Sequence, residues 1–525
     1  MKVLKWFKKL TSTSQNQDQE LVNPQEERES LTGILKEDFY KIERLFEGSS
    51  DFSYRKFEIN ATYSAIILYL DGLVDMNRME SNVINPLLTH NEDLLQKPII
   101  TIKEIEEELH SAQVKKGGTI QEVVDHILSG DTVLLVSGFN QSLFISEQSW
   151  QQRSVNDPPS EPVVYGPREG FTENIRTNTS MIRRRLKTSQ LKLESITIGE
   201  LSKTEVVIAY LEGIAQDSIV EEVRTRLNRI NIDAIEDSGY ILEFIEDNPY
   251  SVFPQVLQTE RPDRVVGSLL EGKIGIIVEN SPFALIAPVT FFVMMNSPED
   301  YYGRFMISTF TRWLRYLFLF VALLFPSIYI AVTTFHQELL PTNLLFSVAA
   351  SREKVPFPAV VEALLMEITF EALREAGLRL PRPIGATVSI VGALVIGQAA
   401  VEAGIVSAPL VIVVSITGIA SFMFASYSLT GAIRLLRFMM MFIAATLGFY
   451  GILLGVFFIL VHLVQLRSFG VPYLTPVSPF NFNNLKDVFI RAPWWAMVER
   501  PEQTAKSNLK RMSKSLRPHP PKRNN

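Results

Sequence analysis

From Trp313 to Val464 the chain is largely apolar, whereas the residues before about 310 are charged and polar and those beyond Val464 turn basic. A helix needs roughly 20 apolar residues to cross a bilayer, and this block holds several such runs. The change in composition divides the chain into a soluble region followed by an integral membrane region. A hydrophobic content of 46% averages over that division and hides it.

The polar half repeats itself. Tyr69-Leu70-Asp71-Gly72 recurs as Tyr210-Leu211-Glu212-Gly213, an offset of 141 residues. VVDHILSGDTVLLVSGFNQSLFI (Val123 to Ile145) is similar to RVVGSLLEGKIGIIVENSPFALI (Arg264 to Ile286), with Gly130 matching Gly272 and Val136 matching Val278 at an offset of 142. Two matches at nearly one offset point to a duplication. In each copy a helix ends at a glycine and a short β-branched run follows, as in αβ connections.

The fold class is therefore an α/β soluble region of two duplicated subdomains followed by an all-α polytopic membrane domain. The expected boundaries are a basic leader and disordered linker over 1–33, subdomain 1 over 34–150 and a linker over 151–189. Subdomain 2 follows over 190–310, then a helical transmembrane domain over 311–466 and a basic cytoplasmic tail over 467–525. The leader, MKVLKWFKKL, lacks the apolar core of a secretory signal. It reads as a short amphipathic helix on an anionic membrane surface or as a disordered basic segment.

Nothing in the soluble half marks an enzyme. His90, His110 and His126 stand apart from one another, without the spacing of a metal site. No phosphate-binding glycine loop and no nucleophile elbow occurs. The chain has no cysteine, which removes disulfides, thiolate catalysis and cysteine metal sites. No cofactor, metal or nucleic acid is expected.

In the membrane half the spacing predicts crossing helices over Trp313–Phe335, Ile384–Ala403, Ile405–Tyr427 and Phe438–Val464, with a further helix over Pro358–Glu375. That helix carries Glu362, Glu367, Glu371 and Arg374. At 100° per residue Glu367, Glu371, Arg374 and Glu375 share about one third of the circumference while Glu362 points elsewhere. Acids in membrane-grade sequence are functional by default. The face reads as the lining of a watery path or as interhelical support. Over Ile384–Ala403 the small residues Gly385, Ser389, Ala393, Gly397, Ala400 and Gly404 share one side, a groove for close helix packing. The other side bears Thr387, Val391, Val395, Gln398 and Glu402. A slim, partly polar face of that kind suits the wall of a conduit, with valines as the constriction and Gln398 and Glu402 as a polar mouth. An ordinary bundle helix is the bland alternative.

A tail with eight Lys or Arg after Glu499 and a large soluble half both belong on the cytoplasmic side. That requires an even number of crossings, against the five helices just named.

PFPAVVEALLMEITFEALREAGLRLPRPIGATVSIVGALVIGQAAVEAGIV (Pro356 to Val406) resembles the A subunit of the GerA-type spore germinant receptors. So do the tail GVPYLTPVSPFNFNNLKDVFIRAPWW and the linker YGPREGFTENIRTNTSMIRRRL, and the resemblance runs from about residue 34 to 500. It implies a multi-pass protein of the inner spore membrane, acting with a transporter-like B subunit and a lipoprotein C subunit. It also implies homo-oligomers that form a nutrient-gated cation channel and trigger germination. An alternating-access transporter subunit and a non-conducting scaffold are the rival readings.

Overall fold

The structure, a computed structural model, describes residues 29–59, 63–88, 101–111, 113–149, 158, 160–379, 395–481, 484–505, 508–513 and 516–518. Chain contacts divide it into two units, one over residues 1–47 and 52–149, the other over 48–51 and 150–525.

The first unit is built on a five-stranded antiparallel sheet of β1 (Phe52–Ile59), β2 (Tyr63–Leu70), β3 (Val114–Gly117), β4 (Thr132–Val136) and β5 (Ser142–Ile145), in the order β1-β2-β4-β5-β3. β4, TVLLV, is buried throughout because both faces of the sheet are covered. Val133 and Leu135 face helices α1 (Leu35–Leu45) and α3 (Ile120–Ser129) through Phe39, Ile42, Val123 and Ile127. Leu134 and Val136 face the opposite layer, where Val83 and Ile84 lie with Ile105 of α2 (Ile102–Glu108). Thr119 and Glu122 form a capping box that starts α3, and Gly130 ends it in the left-handed region at φ 92°.

The second unit repeats this sheet with β6 (Leu191–Ile198), β7 (Thr204–Leu211), β8 (Leu257–Thr259), β9 (Ile274–Val278) and β10 (Ala284–Ala287), in the order β6-β7-β9-β10-β8. The register is repeated as well: Ala65 opposes Val136 in one sheet and Val206 opposes Val278 in the other. The duplication reaches further back than the sequence matches. Helix α4 (Ile175–Arg185) lies inside the stretch assigned above to a linker, and it stands where α1 stands in the first copy. The turn before each helix is the same, with the backbone N–H of Thr32 donating to Asp38 at 3.0 Å and that of Thr172 to Asn178 at 2.7 Å. The triplet Arg183-Arg184-Arg185 disguises α4 as a polar connector. Arg183 is in fact fully buried and donates to the Leu191 carbonyl at 3.0 Å. Helices α5 (Asp217–Asn228), α6 (Ser238–Ile245) and α7 (Pro262–Leu269) complete the copy.

The rest of the second unit is mostly helical: α8 (Phe305–Thr334), α9 (Thr342–Arg352), α10 (Ala359–Arg379), helical residues 395–402, α11 (Ala408–Ser421) and α12 (Tyr427–Gln465). Among the described residues α8 and α12 are long and apolar enough to cross a membrane. α12 is not one rod. Gly448 breaks it with φ 57° and ψ −140°, a conformation that glycine alone adopts readily. Fifteen residues of straight helix span about 22 Å. A Cβ on Gly455 would nevertheless lie 2.5 Å from Met440 Sδ, and one on Gly451 would lie 2.6 Å from the Ile443 carbonyl. The two arms, 427–447 and 449–465, therefore fold back on each other as a hairpin, with Gly451 and Gly455 letting them approach. Its tip meets the end of α8, where His336 Nε2 lies 3.0 Å from the Cβ position of Gly448. The second arm returns to the sheet, where the Ser251 hydroxyl and His462 Nε2 are 2.8 Å apart. Sequence spacing treats Phe438–Val464 as a single span because a reversal at glycine leaves the apolar run unbroken.

Candidate functional site

Three of the acids of α10, Glu362, Glu367 and Glu371, are held by arginines of other helices. Glu367 and Arg437 are both fully buried and meet at 2.6 Å, and Arg437 also donates to the Ser421 hydroxyl at 2.9 Å. One turn along, Arg434 grips Glu371 with two bonds of 2.9 and 2.5 Å. Glu362 is directed elsewhere: it accepts from the Ser407 backbone at 3.0 Å and from Arg352 at 3.3 Å. The Ser407 hydroxyl in turn meets the Tyr329 phenol at 2.9 Å. Arg374 lies over the Phe422 ring, 5.1 Å from its centroid. Three carboxylates that look costly in sequence are thus each neutralised by a guanidinium, and together they tie α10 to α9 and to the first arm of α12. For Glu367 and Glu371 the pairing was missed because the partners lie 70 and 63 residues away. A signal was present in the matched spacings, Glu367 with Glu371 and Arg434 with Arg437, which put two acids on one helix face and two bases on another.

The following helix has two unlike faces. Gly397 and Ala400 are buried, and a Cβ on Gly397 would touch Val411 at 3.5 Å. Gly404 ends the helix at φ 67°, its Cβ position 3.2 Å from the Lys354 carbonyl. Val395 is 56% exposed, and Gln398 and Glu402 beside it are exposed too, with the Gln398 amide donating to Glu402 at 2.9 Å. The remaining positions of these two faces, Thr387 and Val391 on one and Gly385, Ser389 and Ala393 on the other, lie outside the described residues.

A third cluster, not anticipated from sequence, joins the start of α8 to the tail. Arg315 clasps Asp300 with two bonds of 2.7 and 2.8 Å, and Arg312 bridges Asp300 at 3.3 Å and Asp487 at 3.1 Å. The Tyr301 phenol donates to Asp487 at 2.6 Å, and Arg491 donates to the carbonyls of Asp300 and Tyr301 at 3.1 Å each. Burial pushes the Asp487 carboxyl above its usual range although Arg312 opposes the shift, and burial likewise raises the Tyr301 phenol and lowers Arg491. The spacing of three between Arg312 and Arg315, which puts both on one helix face, is the clue the sequence offers.

The family model described as Bacillus/Clostridium GerA spore germination protein matches residues 40–503. The chain belongs to the GerA family. Among relatives of this GerA-family chain, the Bacillus subtilis protein named Uncharacterized membrane protein YfkQ is 48% identical over 474 residues, 90% of this chain and 92% of that one. Spore germination protein KA of Bacillus subtilis is 46% identical over 454 residues, 86% of this chain and 83% of that one. A crystal structure of the N-terminal domain of the A subunit of the Bacillus megaterium spore germinant receptor GerK3 is 36% identical, with a TM-score of 0.41, and covers 50% of this chain and 97% of that chain.

Proposed function

We propose that this GerA-family chain is the A-type membrane subunit of a nutrient-responsive receptor that triggers spore germination, and that copies of it assemble around a cation path. A transporter-like B subunit and a lipoprotein C subunit complete the receptor in the inner spore membrane. The observation that carries the reading is the outward face of residues 395–402. Small residues occupy the packed side, while Val395, Gln398 and Glu402 remain exposed on a single chain. Among the described residues Glu402 bonds Gln398 and meets no arginine, unlike Glu362, Glu367 and Glu371. A ring of such carboxylates would favour cations over anions. Thr387 and Val391 would continue the same wall.

The glycine-tipped hairpin supports a consistent topology. Counting its two arms as separate crossings turns five into six. An even number leaves the soluble half and the basic tail on the same, cytoplasmic side.

The test is nutrient-triggered potassium release from spores carrying Glu402→Lys. Release should fall to the level of receptor-free spores while the chain is present in normal amount. Val395→Ala should have the opposite sign, with ions leaking before nutrient is added. Normal, tightly nutrient-dependent release in both variants would overturn the path assignment.

A further inference from the structure

A cavity of about 580 Å³ lies in the second unit between α7, the segment 288–302 and tail residues 471–511. That volume is within the usual range for small-molecule sites. Its walls are largely apolar, with Val266, Phe292 and Val293 among them. One end is positively charged. Lys273 and Arg511 share a single carboxylate, Glu271, at 2.9 and 3.4 Å. Arg500, also on the wall, is buried and among the described residues bonds only neutral acceptors: the Leu270 carbonyl at 2.9 Å, both oxygens of Asn508 at 2.9 and 3.0 Å, and the Lys510 carbonyl at 2.5 Å. Three cations thus face one acid. Burial and then the neighbouring charge of Arg511 act against the charged form of Arg500, which is the mark of a guanidinium lacking an anion.

The other charged groups on the wall are compensated from outside it, Arg185 by Glu169 at 2.6 Å and Arg264 by Glu161 at 2.5 Å. Asp263 pairs with Arg261 at 2.9 Å, and Asp487 pairs with Arg312. Asp263 Oδ1 and Asn296 Oδ1 are buried acceptors without a hydrogen-bond partner among the described residues. A buried acceptor left unmade is costly, and a ligand donor is one way to satisfy it. The wall therefore asks for an acid group at one end, an apolar body, and a donor at the other.

We propose that this cavity binds a small organic acid with an apolar body and a hydrogen-bond donor opposite the acid. The acid group lies at Lys273, Arg500 and Arg511, and the donor faces Asp263 and Asn296. Because the tail supplies Arg500 and Arg511, occupancy holds the tail against the second sheet. The inference is independent of the cation path, since it is read by binding to the purified chain without any ion flux.

The probe is 4-hydroxybenzoate, and its control is 4-hydroxybenzylamine, which keeps the ring and the donor but reverses the charge. Both are titrated calorimetrically into the full chain in lipid nanodiscs. The acid should bind, and the amine should bind at least about tenfold more weakly, the cost of losing one good ionic contact. Arg511→Gln should weaken acid binding about tenfold by the same reasoning. Gly267→Trp is the blocking variant: a Cβ there meets no heavy atom within 4 Å, so the indole enters open space on the wall of the cavity without displacing the fold. It should abolish acid binding while thermal unfolding stays unchanged. Equal affinity for the amine, no heat with the acid, or full acid binding by a stably folded Gly267→Trp chain would each overturn the proposal.

Discussion

The two sheets share strand order, register and even the turn before their first helix, yet they are closed by different parts of the chain. In the first copy Val74 bridges to Gln148, the Asp75 N–H donates to the Glu147 carbonyl at 2.9 Å, and the Ser149 N–H donates to the Leu73 carbonyl at 3.1 Å. Its own residues after β5 finish the job. In the second copy the matching residue, Ala215, bridges instead to Ala505 in the tail, and Gln216 donates to the Glu502 carbonyl at 3.2 Å. The chain after β10 has been diverted: Val289 is bonded by Ser468 and Phe291 by Tyr473, on the way to α8. The charges follow the exchange. Asp131 of the first copy accepts from Ser146 at 2.8 Å and Gln148 at 3.0 Å, all within that copy. Lys273 stands at the corresponding place in the second, and it shares Glu271 with Arg511 of the tail. The same ridge is thus covered by the first copy's own residues after β5, and by the tail in the copy that continues into the apolar helices.

The largest way to break this contrast is at Asp300, which exists only where the second copy meets α8. Asp300→Asn strands the buried Arg315 and leaves the buried Arg312 with Asp487 alone, and breaking one side of a buried ion pair costs about 3–5 kcal/mol. Hydrogen exchange should speed up across β6–β10 and the tail while β1–β5 keep their protection. Equal acceleration in both sheets would mean that the copies are not independently closed.

A smaller effect separates the matched glycines. Gly130 and Gly272 both sit in the left-handed region, at φ 92° and 82°. Valine there costs about 1–2 kcal/mol at either site. The surroundings differ, because a Cβ at 272 would lie 2.5 Å from the Thr504 carbonyl, whereas at 130 the nearest atom is Leu73 Cβ at 3.3 Å. Gly272→Val should therefore expose residues 500–511 to protease, and Gly130→Val should not. Matching cleavage patterns in the two variants would remove the tail from its role as cover.

The repeat was legible because strand cores tolerate few substitutions: VLLV and GIIV, each between a helix-ending glycine and a turn, keep their pattern across an offset of 142. α4 was not, since its buried Arg183 looks like a solvated base until its carbonyl partners are known. The hairpin in α12 was hidden for a different reason. Gly448, Gly451 and Gly455 fit close packing of one helix as well as reversal of two, and only the backbone dihedral at Gly448 tells them apart. In the candidate site, spacing separated the small face of Gly397 and Ala400 from Val395, Gln398 and Glu402. Spacing could not show that Glu367 and Glu371 find Arg437 and Arg434, because that depends on how two distant helices pack.

The finest test of the contrast is acid. Burial opposes ionisation of Glu271, but Lys273 and Arg511 outweigh it and hold the carboxyl below the usual glutamate range. A carboxylate depressed in the folded state contributes stability above its unfolded value of about 4.3 and loses it as pH falls from there through the folded value. Tail docking on the second copy should accordingly loosen below about pH 4.3, read as rising acid-protease cleavage after Trp495, and Glu271→Gln should flatten that part of the profile. The first copy has Ser129 at the matching position, so exchange at Gly130 and β4 should show no such component. If β4 and β9 lose protection over the same acid range, and Glu271→Gln leaves both profiles untouched, the charge exchange between the copies has no energetic consequence and the tail is held by its backbone contacts alone.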